Sequence, residues 1–361
     1  MKELILVISI FTQFAVLSAE PNSTAPATPV ETFAAPDVIA TGIMHKPIYP
    51  IGVHTLAFSP DGKTLASGDG TGHLRLWDPR TGNLRHDVAA HSNWVFAIEW
   101  SRDGSKIVTG GGDNLIHWFD AEKPALPMRT LRGHSNDVHA VALTKNGKTL
   151  FSAGDDRQML IWDARESQLK KRIDGHARQI PALELSPNEN VIATGSRDHS
   201  IKLWNKDGKL RDTLIGHTAD VVALGFSRDG SKLASAGWDN TARIWDVRTG
   251  KATRIIAGEA NRVSGVAFSE DGKRLAVSGG AQLGLFEVAT GKQIWAANFA
   301  NKIRDAQGTE TAEDLSAVAF GADDELIAVG STTGSIYLLN SDTGKLVRQL
   351  SAPAEKDQHT H

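Results

Sequence analysis

The sequence predicts an all-β protein, a closed seven-bladed β-propeller of four-stranded antiparallel blades. Two observations lead there. The first is a period. Phe58, Trp100, Leu143, Leu185, Phe226, Phe268 and Phe320 occupy one equivalent position, at spacings of 42, 43, 42, 41, 42 and 52 residues. A second series, Trp77, Phe119, Trp162, Trp204, Trp245, Phe286 and Leu339, marks the same seven units, again with the long gap last. The second observation is the content of each unit, which is four short apolar or alternating segments and no run long enough for a stable helix.

The unit from Gly216 shows the elements in order. "VVALGF" (221–226), "KLASAG" (232–237), "TARIW" (241–245) and "ATRIIA" (252–257) read as strands one to four. The turn between the first two is "SRDGS" here, and "SPDGK", "SRDGS", "TKNGK" and "SEDGK" in other units. Asp-Gly and Asn-Gly supply the positive φ that a tight hairpin needs. Strands three and four are joined by "PRTGN", "VRTGK", "VATGK" and "SDTGK". A lone four-stranded meander exposes both faces and both edges, whereas seven packed radially bury the faces and leave only short edges. The last blade takes its fourth strand from "KLVRQLS" (345–351), with "DVIATGIM" (37–44) as the alternative and otherwise packed beside it.

Composition bounds what such a molecule can do. The chain has 361 residues, 40% hydrophobic and 22% charged, as expected of a folded protein. Lys plus Arg number 39 against 42 Asp plus Glu, a net charge of −3, which gives no electrostatic case for a nucleic-acid partner. Cysteine is absent, which excludes disulfides, thiolate metal sites, a thiol nucleophile and a lipidated-cysteine anchor. Residues 1–19, "MKELILVISIFTQFAVLSA", place a lysine before an apolar run that ends in small residues. Its apolar stretch would span about 21 Å as a helix, short of the roughly 30 Å hydrocarbon core. It reads as a signal peptide, with a retained membrane anchor as the alternative. Residues 20–37 read as a Pro/Ala/Thr-rich flexible linker, 38–351 as one propeller and 352–361 as a disordered tail. The expected location is periplasmic or secreted, with no integral span once the signal is cleaved.

The Gly-His start, the "SPDG" turn, the "LASG" strand, the turn aspartate and the closing Trp-Asp resemble the WD40-repeat family, over about residues 43 to 351. The resemblance implies a structural tetrad of His, Ser or Thr, Asp and Trp in each complete blade. Three blades supply all four: His134, Ser152, Asp156 and Trp162; His176, Thr194, Asp198 and Trp204; His217, Ser235, Asp239 and Trp245. The second blade has His91, Thr109 and Asp113, but Phe119 replaces the indole donor. His, Ser and Asp are also the side chains of a hydrolytic triad. Repetition around a ring argues against that use, because a nucleophile needs one geometry about one substrate. The first, sixth and seventh units are degenerate. Thr71 stands at the first unit's aspartate position, the sixth has Glu259 for histidine, and the seventh reads Thr311, Val329, Thr333 and Leu339.

The resemblance further implies peptide or protein binding on the face that holds the fourth-to-first and second-to-third strand loops. The position five residues after the histidine gives His54, Phe96, His139, Pro181, Val222, Ser264 and Ser316. The residue before the turn aspartate adds Asp155, Arg197 and Trp238; two residues before the first ring lie Trp94, Asp137, Gln179, Asp220 and Arg262. Aromatics with arginine are typical interface anchors. The insertion at 298–314 emerges on the same face. The expected function is a non-catalytic scaffold for an unidentified protein or peptide, as a lone factor or within an envelope complex. No cofactor is expected, and no third ligand is evident that would join His54 and His139 into a metal site. The alternative is a propeller enzyme or cofactor-binding subunit, with His54, His139, Arg262, Arg304 and Asp305 at the channel mouth.

Overall fold

A computed structural model describes residues 31–32, 52–257, 262–299, 302–304 and 310–352. Among these residues the chain forms seven four-stranded antiparallel meanders and no helix. Blade 1 consists of Val53–Phe58, Leu65–Asp69, His73–Trp77 and Leu84–Ala89, paired in that order. Blades 2 to 6 repeat it from inner strands Val95–Trp100, Val138–Leu143, Ala182–Leu185, Val221–Phe226 and Gly265–Phe268. Blade 7 is Leu315–Phe320, Leu326–Ser331, Ser335–Asn340 and Leu346–Ser351. Its fourth strand is thus the C-terminal segment; residues 37–44 lie outside the described residues. An N-terminal dipeptide, Glu31–Thr32, instead pairs in parallel with Ala297 and Asn298 as a fifth strand on blade 6.

The hairpin turns follow from their residues. Gly62, Gly104, Gly147, Gly230 and Gly272 all take φ between 64° and 71°. Blades 4 and 7, which read "SPNEN" and "GADDE" at that turn, put Glu189 and Asp324 at φ 59° instead. Where the turn carries a serine and an aspartate, as in blades 1, 2, 5 and 6, the pair locks it. Ser227 Oγ donates to Asp229 Oδ1 at 2.6 Å and accepts the Lys232 N–H at 3.0 Å. The Ser227 hydroxyl and the Ser231 N–H together hold the Asp229 carboxyl down at about 2.

Packing is between blades as much as within them. One core cluster joins Ile116, Trp118 and Leu131 of blade 2 to Val138, Leu150 and Trp162 of blade 3. Another joins Val53, Leu65 and Trp77 of blade 1 to Ala328, Ile336 and Leu350 of blade 7, so the ring closes on apolar burial. The closure has a polar stitch as well, since the Ser316 hydroxyl donates to the Val53 carbonyl. Within the 298–314 insertion, Lys302–Arg304 and Glu310–Ala312 form a small antiparallel hairpin. No helix among the described residues is long and apolar enough to cross a membrane; residues 1–19 lie outside them.

Candidate functional site

The three predicted tetrads are continuous hydrogen-bonded chains. In blade 5, Trp245 Nε1 donates to Ser235 Oγ at 2.8 Å, and that hydroxyl donates to His217 Nε2 at 2.7 Å. His217 Nδ1–H then donates to Asp239 at 2.9 Å. Blade 3 repeats the chain through Trp162, Ser152, His134 and Asp156 at 2.8, 2.7 and 2.7 Å. Blade 4 does so through Trp204, Thr194, His176 and Asp198 at 2.8, 2.8 and 2.9 Å. The serine and threonine oxygens are fully buried and each carries an indole N–H, so no lone pair points at a substrate path. Burial pushes the Asp239 carboxyl up, but the Thr218 N–H, the Thr241 hydroxyl and His217 outweigh it and leave the group low. In His217, burial lowers the imidazole more than Asp239 raises it.

The degenerate blades solve the same packing problem differently. Blade 2 keeps His91 on Asp113 and Thr109 at 2.8 and 2.7 Å, with the apolar Phe119 buried where the indole would stand. In blade 1, Trp77 still donates to Ser67 at 2.8 Å, while Asp69 binds the Thr71 hydroxyl at 2.6 Å and pairs with Arg75. Thr71 is therefore a donor to a carboxylate on the second strand. In blade 7 the buried Glu313 takes the Thr333 and Tyr337 hydroxyls; the Thr311 side chain lies outside the described residues, as does Glu259 of blade 6. Blade 6 puts Val277 and Phe286 against a void of about 30 Å³.

On the face of the fourth-to-first loops, which we call the top, the ring residues fall into sectors. His54, Phe96 and His139 form an aromatic arc across blades 1 to 3. His54 meets Phe96 edge-on at 5.4 Å, and Phe96 stacks on His139 at 4.2 Å. Trp94, half-buried, leans on both Phe96 and His54, at 5.4 and 6.2 Å. Phe96 therefore stands between the two histidines, which do not converge. Next to the arc lies a charged sector. His139 Nε2 is 3.1 Å from Asp155 Oδ1, and Arg197 and His199 each approach Asp220 at 3.8 Å. Trp238 is 37% exposed, and the Arg262 guanidinium sits 4.6 Å over its ring. Pro181, Val222 and Ser264 are half-buried and small, as is Ser316, whose hydroxyl is held by Val53.

Several polar atoms of this face lack partners. Eight buried side-chain nitrogens and oxygens have no hydrogen bond among the described residues, and four of them are His54 Nε2, His139 Nε2, Asp155 Oδ1 and Arg197 Nε. Buried polar atoms are normally satisfied, so half of the exceptions on one rim mark it as built for something else to complete. Burial lowers the His54 pKa, aided by His139 and opposed by Asp69, and leaves a neutral ring. Asp137 is raised by burial and by Asp155, against the pull of His139. Asp155 goes the other way, because His139 and Arg197 outweigh its burial.

Two carboxylates lower in the channel were not singled out by sequence. The next inward position of the inner strands reads Ala57, Glu99, Ala142, Glu184, Gly225, Ala267 and Ala319. Glu99 and Glu184 come from blades 2 and 4, with Ala142 of blade 3 between them. Burial, with Glu184 beside it and against a Leu143 N–H bond, pushes Glu99 up to about 8; burial alone pushes Glu184 to about 7. Blades 2 and 4 are separated by blade 3, so the influence of Glu184 on Glu99 acts across the channel, where both residues are half-buried. Their one visible signal is a charge inside the apolar strands "VFAIEW" and "ALEL".

The larger cavity, about 210 Å³, opens on the opposite face among Arg102, Lys145, Pro187, Phe226, Arg228 and Glu270. Lys145 already donates to the Pro187 carbonyl at 2.5 Å and Arg228 pairs with Glu270 at 2.5 Å. Two of its three cations are thus occupied.

The comparisons agree with this architecture. The WD domain, G-beta repeat model matches residues 126–163, 167–205 and 208–246, which end on the tetrads of blades 3, 4 and 5. The model of the anaphase-promoting complex subunit 4 WD40 domain matches residues 50–103. Autophagy-related protein 16 of Arabidopsis thaliana is 25% identical over 300 residues, 82% of this chain and 57% of that protein. The Periodic tryptophan protein 2 homolog of Dictyostelium discoideum is 28% identical over 48% of this chain and 19% of its own length. Guanine nucleotide-binding protein G(I)/G(S)/G(T) subunit beta-1 of Homarus americanus is 30% identical over 41% of this chain and 44% of its own length. The chain thus spans between about a fifth and three fifths of these relatives, all of them eukaryotic. With complete tetrads under the three repeat matches, the chain carries WD40 repeats on a seven-bladed propeller.

Proposed function

We propose that this protein is a non-catalytic scaffold that binds a protein or peptide across the top mouth of its channel. WD40 propellers typically bind other proteins. The observation that carries the reading is the concentration of unpartnered polar atoms beside an aromatic arc on one rim. A rigid ring presents these groups already in place, which reduces the ordering cost of association. Trp238 under Arg262 is the second anchor, where a half-exposed ring and a guanidinium offer the chemistry of interface hot spots.

Affinity capture with the immobilised protein tests this. Phe96→Ala combined with Trp238→Ala is expected to reduce retained partner by about tenfold or more, in line with the loss of two anchors of about 1–2 kcal/mol each. Equal retention by the double variant sinks the proposed face. Export belongs to the same reading and rests on residues 1–19. The mature chain then begins near Glu20, in a periplasmic or secreted pool, free or within an envelope complex. N-terminal sequencing of the fractionated protein checks it, and an intact Met1 in the cytoplasmic fraction refutes it.

A further inference from the structure

We propose that Asp137, His139 and Asp155 form a binding site for a borderline first-row divalent metal ion, of the Zn²⁺ type, at the rim of the channel. The site is independent of which partner docks, because metal uptake is read on the protein alone.

The three side chains offer one nitrogen and two carboxylate oxygens within 4.8 Å of one another. Asp137 and His139 flank Val138 at the entry to the inner strand of blade 3, where the register against the second strand shifts between Val138 and Ala140. Asp155 arrives from the second-to-third strand turn of the same blade. The decisive geometry is that of His139 and Asp155. Their facing atoms are both buried and pair at 3.1 Å, without the alignment of a full hydrogen bond. Two ligands of one metal, each at about 2.1 Å and at angles of about 90° to 110°, sit about 3.0 to 3.4 Å apart. The 3.1 Å between His139 Nε2 and Asp155 Oδ1 falls in that range. Phe96 stacked 4.2 Å from the imidazole fixes its plane. Arg197 adds charge near Asp155 but no hydrogen bond to it, so the carboxylate keeps its coordinating valence.

The other mixed group differs in kind. His91, Asp113 and His117 also cluster, but His91 already uses both ring nitrogens, on Asp113 and Thr109, and His117 accepts the Thr130 hydroxyl. One imidazole with two carboxylates suits Zn²⁺, Mn²⁺ or Co²⁺, whereas Mg²⁺ and Ca²⁺ prefer oxygen alone. Three protein ligands leave positions for water or for a donor from a bound molecule.

Calorimetric titration of the full chain with Zn²⁺ in chelator-stripped buffer tests the site, with Mg²⁺ as contrast. One equivalent of Zn²⁺ is expected to bind and Mg²⁺ not at all. His139→Gln and Asp155→Asn should each weaken Zn²⁺ about tenfold or more. Melting of each variant in chelator checks folding, and Asp137→Asn replaces any variant that does not fold. The tail carries His359 and His361, so the pair His359→Ala with His361→Ala is expected to keep the bound equivalent. The site is overturned by no stoichiometric uptake, by uptake unchanged in both His139→Gln and Asp155→Asn, or by loss that follows the tail histidines.

Discussion

Asp239→Ala is expected to destabilise the protein by about 3 kcal/mol and lower its melting temperature by about 5 °C or more. The side chain accepts from His217 Nδ1, the Thr218 N–H, the Thr241 N–H and the Thr241 hydroxyl. Alanine leaves an imidazole N–H, 1% exposed at the side chain, without an acceptor, and frees the turn that holds blade 5. Each buried group so stranded costs about 1–3 kcal/mol, and the costs overlap because the partners share one network. Asp239→Asn, which retains one acceptor oxygen, loses less. The sign with pH follows from the depressed carboxyl. Stability from Asp239 is present above the ordinary carboxylate range and is lost as pH falls through its lowered folded value. The gap between wild type and Asp239→Ala therefore narrows in strong acid. Thermal melts at neutral and acid pH check both; an unchanged melt with lost partner binding would return the group to a functional role.

Glu99→Gln with Glu184→Gln is expected to do the reverse, raising stability by about 1–3 kcal/mol near pH 9 and changing little near pH 5. The folded pair titrates near 8 and 7, above the usual value of 4.5. The native state therefore holds more protons than the unfolded chain between those limits, and wild-type stability falls as pH rises from about 5 to about 8. Shifts of this size correspond to about 3–5 kcal/mol for each group at full effect, and the half-burial of both residues keeps the gain below that. The carboxyls titrate as a coupled pair, so the double variant gives the cleaner curve. Denaturant melts across that range should flatten in the variant. A variant that loses stability with the wild-type slope places the charges in bulk water.

Much of this molecule is legible in its residues, for a physical reason. A period of about 42 residues with Asp-Gly turns admits few folds, and each tetrad is written at constant offsets, so Trp245, Ser235, His217 and Asp239 could be joined before any coordinate. The same offsets dissolve the apparent triad of blade 5, because the structure shows the Ser235 oxygen capped by an indole. What stayed hidden depends on distance between elements. The meeting of Asp137, His139 and Asp155 joins a strand entry to a turn, and Phe96 stands between His54 and His139. Glu313 replaces a tetrad histidine at a different offset, reaching Tyr337 two strands away. Glu99 and Glu184 read as ordinary alternation in a strand, and only the radial arrangement turns their side chains toward one another.

On the proposed function, a partner docks on the top rim. A photoreactive residue placed at the exposed Arg178, in a fourth-to-first strand loop, tests it against one at Lys148, in a turn of the opposite face. Crosslinking of the captured partner from position 178 and not from 148 is the predicted result. Crosslinking from 148 alone would contradict it and move the interaction to the opposite mouth.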